Sequence, residues 1–170
     1  MTVLDIITLP EPVLRKKARK VSQYNSELQA LIDDMVETMR AAPGVGLAAP
    51  QVNVSLRVIV VEFGDEEDEV VPPKLYIIVN PELSKFSQEV VYGTEGCLSI
   101  PGFVGEVERS KTVVVKGYNR QGQPLKIKTK GWLARIFQHE IDHLDGILYI
   151  DRTDKIMAIE EEPNQVSPAD

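Results

Sequence analysis

The sequence predicts an α+β fold: an N-terminal helix, a mostly antiparallel β-sheet, and a buried C-terminal helix carrying two histidines. Apolar residues recur at positions 28, 31, 32, 35, 36 and 39, the spacing of one helical face. Several short β-rich runs follow with no helical pattern between them, which argues for antiparallel pairing. Finally, winding Gly131 to Gly146 at about 100° per residue gathers Trp132, Leu133, Ile136, Phe137, Ile141 and Leu144 on one arc. Arg135, Gln138, Asp142 and Asp145 take the other side.

In chain order, Leu9-Pro10-Glu11-Pro12 reads as an extended entry, and the basic run Arg15 to Lys20 as a solvated face. Ser26 with Gln29 resembles a capping box, so a helix is expected over 26–41, ended by Pro43-Gly44. Strands are expected at 56–62, 75–79, 89–92, 111–118 and 125–129, with a hairpin over 95–110. The acidic run Asp65 to Glu69 reads as a solvated loop tip, because it lacks the spaced ligands and central glycine of a calcium loop. Gly146 is placed to cap the last helix, and a short run Ile147 to Ile150 follows. Residues 1–150 form one domain, and 151–170 a polar, flexible tail.

Composition narrows the function. A chain of 170 residues with 43% apolar content supports one sizeable core. The net charge of -7, with no Lys/Arg stripe alternating with aromatics, argues against direct nucleic-acid binding. Met1 to Pro10 lacks the basic head and apolar run of a signal peptide, and no stretch approaches the roughly 18 apolar residues of a membrane span. The expectation is a cytoplasmic protein without a membrane partner. A single cysteine, Cys97, excludes an internal disulfide.

The chemistry centres on His139-Glu140-Ile141-Asp142-His143, which holds both histidines of the chain. Positions four apart lie on one helical face, so both imidazoles can reach one metal ion with Glu140 beside it. Glu140 falls inside the apolar arc, where a buried carboxylate costs several kcal/mol unless a metal site compensates it. Two histidines leave a catalytic ion short of a third protein ligand. The three-histidine protease pattern has Gly146 in register but Tyr149 where its last histidine belongs, and Glu160, Glu161 and Glu162 lie in the expected tail. Cys97, within Glu95-Gly96-Cys97-Leu98-Ser99, reads alone as a small core residue. The open coordination position makes it the better third ligand. Gly44 to Gln51 reads either as a tight loop or as an edge on which an extended peptide pairs.

Gly44-Val45-Gly46-Leu47-Ala48-Ala49-Pro50-Gln51, Glu95-Gly96-Cys97-Leu98-Ser99 and Gln138-His139-Glu140-Ile141-Asp142-His143-Leu144-Asp145-Gly146 resemble the three signature motifs of the peptide deformylases. They stand in the family's order and spacing, and the resemblance runs to about residue 151. It implies a catalytic domain that removes the formyl group from the N-terminal formylmethionine of newly made polypeptides. By the same resemblance, Cys97, His139 and His143 hold one divalent ion, ferrous iron with nickel, cobalt or zinc able to replace it. Glu140 is then the general base and acid. Gln51, through its amide, and Leu98, through its backbone N–H, support the developing oxyanion.

The formyl-Met peptide lies extended beside Gly44, Val45 and Gly46. Val45, Leu98, Trp132 and Ile136 are candidates for the methionine pocket, with ordinary core packing the alternative for Trp132 and Ile136. An ion pair between Glu95 and Arg109 is expected to brace the cysteine loop. Certain relatives dock on the ribosome through a long basic C-terminal helix. Residues 151–170 are short and acidic, which leaves at most transient proximity to it.

A thiolate beside ferrous iron is open to oxidation. Protein purified without oxygen is therefore expected to lose activity in air or peroxide, measured as formate release; full activity after exposure would refute the assignment of iron.

Overall fold

The computed structural model describes residues 2–64 and 72–159. Within them lie a helix α1 (Ser26–Ala41), strands β1 (Gly46–Ala48), β2 (Val58–Phe63), β3 (Lys74–Ser84), β4 (Val90–Cys97), β5 (Ile100–Ser110), β6 (Thr112–Tyr118) and β7 (Pro124–Lys130), a helix α2 (Gly131–Leu144) and a strand β8 (Ile156–Ala158). One sheet has the order β1-β2-β3-β6-β7 and a smaller one β4-β5-β8, with antiparallel neighbours throughout. The expected α+β architecture and both helices are present.

Strand β2 shows how the layers are built. Val58, Ile59, Val60 and Val61 are all fully buried, because alternate side chains go to opposite faces and each face carries a helix. Val58 and Val60 pack with Leu28, Ile32, Met35 and Met39 of α1, whereas Ile59 and Val61 pack with Ile136, Phe137, Ile141 and Leu144 of α2. Burying each such side chain stabilises the fold by about 1.5–3 kcal/mol. Strand β1 continues the alternation. Leu47 faces α1, while Ala48 and Gly46 face α2, where there is room only for small residues. A third cluster, with Cys97, Ile100, Val107, Leu148 and Tyr149, seats the β4–β5 hairpin against the segment that follows α2.

Several expectations need correction. The cap of α1 is Asn25, whose side chain accepts from the Leu28 N–H at 3.0 Å, and not Ser26. The stretch expected to be a tail contains β8, which pairs Ile156 with Gly105 and Phe103 with Ala158; the strand is short and exposed, so little periodicity marks it. Arg135, Gln138 and Asp142 are buried because the β4–β5 hairpin covers their side of α2 and supplies polar partners. The acidic run 65–69 and Glu160 to Glu162 lie outside the described residues.

Gly146 closes α2 as anticipated. With φ at +75°, it donates to the His143 carbonyl at 3.2 Å while Ile147 donates to Asp142 at 3.0 Å, the paired bonds of a Schellman turn. A Cβ at this position would sit 2.5 Å from the Arg15 carbonyl oxygen. Gly146→Ala is therefore expected to cost about 2 kcal/mol or more and to lower Tm by roughly 5 °C or more. Thermal melting checks this, and an unchanged Tm would show that the turn accepts a side chain.

Candidate metal centre

Helix α2 and the end of β4 bring three buried donors together. His139 and His143 project from one face of α2, and Cys97 closes β4 at the hairpin turn. The ligand atoms of Cys97, His139 and His143 all lie within 4.8 Å of one another. Cys97 Sγ is 3.3 Å from His143 Nε2. Between Glu95 and Cys97 the β4–β5 register shifts, and Glu95, Gly96 and Cys97 are all buried against α2.

His139 is oriented from behind. Its Nδ1 donates to Glu95 Oε1 at 2.8 Å, which turns Nε2 towards the other donors. The expected Glu95–Arg109 pair is present and bidentate, with Arg109 Nε to Oε2 at 2.9 Å and Nη2 to Oε1 at 2.8 Å. Burial would raise the pKa of Glu95, but the bonds from Arg109 and His139 outweigh it and hold the carboxyl well below its usual range. Burial also disfavours charge on both histidines. Bonds to Cys97 and Glu95 carry His139 upward despite it, whereas burial and the neighbouring His139 push His143 down. Thiolate, two imidazoles and a carboxylate bracing one of them suit a borderline divalent ion such as Fe²⁺, Ni²⁺, Co²⁺ or Zn²⁺.

The remaining candidates surround this cluster. Glu140 is 2% exposed, and Gly46 lies so close that a Cβ there would be 2.5 Å from Glu140 Oε2. Gln51, on a short 3₁₀ turn after β1, accepts from the Ala48 N–H at 3.0 Å. Its Nε2 lies 3.6 Å from Cys97 Sγ and donates to Ser99 Oγ at 3.2 Å. Leu98 is half-buried at the tip of the β4–β5 turn. Val45 and Gly44 are half-buried just before β1, and the Val45 carbonyl accepts from the Glu62 N–H at 2.9 Å. Trp132 and Ile136 line a narrow cleft with Glu95, Arg135, His139 and Glu140 and also join the α2 core, so the packing alternative holds for them as well.

Sequence reasoning missed three participants. Asp142 accepts from Arg109 at 2.7 Å and from Arg152 at 2.7 and 2.8 Å. Arg135 reaches Glu95 Oε2 at 2.6 Å. Tyr149 stacks on His139 with ring centres 6.2 Å apart. Helical phase placed Arg135 and Asp142 outside the apolar arc, and no local signal reports that a distant hairpin covers them.

A cysteine sulfur and two imidazoles around one point, with a buried carboxylate on the same helix, are the groups expected of a metal-dependent hydrolase. The family model described as polypeptide deformylase matches residues 3–158. A peptide deformylase of Symbiobacterium thermophilum is 50% identical over 170 residues, covering 100% of this chain and 76% of that protein. The crystal structure of the Thermotoga maritima peptide deformylase superposes with a TM-score of 0.83 at 40% identity, over 89% of this chain and 98% of that one. A Met-Ala-Ser-bound class I type b peptide deformylase from Acinetobacter baumannii gives 0.82 at 41% identity, over 89% and 99%. The chain belongs to the polypeptide deformylase family. It is a metal-dependent hydrolase that releases formate from the N-terminal formylmethionine of new polypeptides.

Gly46→Ala is expected to displace the Glu140 carboxylate and lower turnover roughly 10²-fold, since misplacement by about 1 Å carries that cost. Melting temperature and formate release on the same protein check this; near-normal turnover would show that Glu140 has room to move.

Proposed function

We propose that Cys97, His139 and His143 hold the catalytic ion and that Glu140 carries the proton. When bound, a divalent ion makes hydroxide available near neutral pH and polarises the formyl carbonyl. The observation that supports these roles best is the buried donor set with Glu140 on the same helix, pressed against Gly46. Glu140 takes a proton from water and delivers it to the departing amine, whose release leaves formate and a free N-terminal Met. The Gln51 amide, oriented by the Ala48 N–H, supports the oxygen of the tetrahedral state together with the Leu98 N–H.

Among the described residues β1 pairs only with β2, so its far side is a sheet edge. The formyl-Met peptide lies extended along Gly44, Val45 and Gly46 as an added strand, contacting backbone in preference to later side chains. The Acinetobacter baumannii relative is bound to Met-Ala-Ser, which supports a peptide ligand. The first side chain enters the cleft lined by Trp132 and Ile136. The family match over 3–158 supports one catalytic domain that includes β8. No helix among the described residues is long and apolar enough to cross a membrane, and we assign the enzyme to the cytoplasm, near the ribosome only transiently. Ferrous iron is the assigned ion, with Ni²⁺, Co²⁺ or Zn²⁺ as substitutes.

Formate release from formyl-Met peptides by protein reconstituted with Fe²⁺ or Ni²⁺ tests the assignment, and cleavage of unformylated peptides without formate would overturn it. Glu140→Gln is expected to keep the metal while turnover falls about 10²–10⁴-fold. Undiminished turnover would remove Glu140 from the mechanism.

A further inference from the structure

Arg135 lies on the side of α2 opposite its apolar arc, yet its side chain is 5% exposed and stands between two parts of the site. Its Nη1 donates to Glu95 Oε2 at 2.6 Å and to the Val107 carbonyl at 2.9 Å, and its Nη2 donates to the Val91 carbonyl at 2.6 Å. One turn back on the helix, the Trp132 ring lies under the guanidinium, 5.3 Å from Cζ. Gly93 makes this approach possible, because a Cβ there would fall 2.8 Å from Cζ. A planar fork held by a carboxylate, two carbonyls and an aromatic face has little freedom left.

Charge compensation alone does not require this arrangement, since Arg109 already meets both oxygens of Glu95. The contribution particular to Arg135 is geometric. On one side it supports Trp132, beside which it lines the cleft. On the other it supports Glu95, whose Oε1 accepts from the metal ligand His139. We propose that Arg135 is a positioning residue that ties the wall of the side-chain cleft to His139, and so links the choice of first side chain to metal retention. The inference rests on the reading of the Trp132–Ile136 cleft as the methionine pocket. Lysine cannot reproduce the link, because a point charge on a flexible stem cannot address the carboxylate, both carbonyls and the ring together.

The test compares wild type, Arg135→Lys, Gly93→Ala, Arg109→Lys and Trp132→Phe, each loaded with Ni²⁺. Gly93→Ala displaces the guanidinium while keeping its charge, and it serves if the lysine variant folds poorly. Three quantities are measured: the kcat/KM ratio for formyl-Met-Ala-Ser over formyl-Ala-Ala-Ser, Ni²⁺ affinity by chelator competition, and the emission of Trp132, the single tryptophan of the chain. Arg135→Lys or Gly93→Ala is expected to lower the Met/Ala ratio about tenfold, mainly through KM, to weaken Ni²⁺ binding about tenfold, and to shift the emission. Arg109→Lys should weaken Ni²⁺ binding and keep the ratio; Trp132→Phe should lower the ratio and keep Ni²⁺ affinity. Folded Arg135 and Gly93 variants that change only one of the two properties, or neither, overturn the link. A wild type with no preference for Met overturns the reading of the cleft, and the inference with it.

Discussion

The Glu95 carboxylate is the interaction on which the rest of the site depends. It is 1% exposed and gathers His139 from α2, Arg109 from β5 and Arg135 from α2 around two oxygens. A buried carboxylate with fewer donors would be strongly unfavourable; removing one partner from such a pair costs about 3–5 kcal/mol because a charge is stranded. Asp142 takes the remaining Arg109 bond and two from Arg152, so positive and negative groups alternate from the end of α2 to the hairpin. These bonds select the geometry in which Cys97 meets both histidines, and the docking of the hairpin on α2 is as much electrostatic as apolar.

The main sheet plays a quieter part. Because β2 is buried on both faces, α1 and α2 are held at fixed distances from a common layer. The position of α2 then determines how near its carboxylate comes to β1. Gly46 at that contact and Ala48 two residues on are small because the helix passes close there. Sheet, glycine and the Glu140 carboxylate thus form one chain of contacts, reaching from the hydrophobic core to the candidate site.

Much of this was legible in the sequence where the signal is local. The spacing of His139 and His143, the apolar arc around Glu140, the helical period of α1 and the glycine at 146 each follow from residues within a turn or two. The three motifs supplied Cys97, and the expected Glu95–Arg109 pair is present. The roles of Arg135, Asp142 and Tyr149 were not legible, because their partners come from other elements. The polar side of a helix reads as solvated until a second layer is known to cover it. Strand β8 escaped notice for a related reason: three exposed residues are ordered by pairing with β5 and not by a pattern of their own.

The donor set also bears on the order in which the molecule assembles. His139 and His143 share a helix and can be neighbours as soon as α2 forms, but Cys97 is 46 residues from His143 along the chain. The three meet only after a long loop has closed and the hairpin has docked, contacts that come at an entropic cost and late in the search. The three donor atoms are held within 4.8 Å of one another only in the finished fold. An ion bound by all three would therefore stabilise the folded chain over the unfolded one, so its removal would be felt in stability as well as in activity.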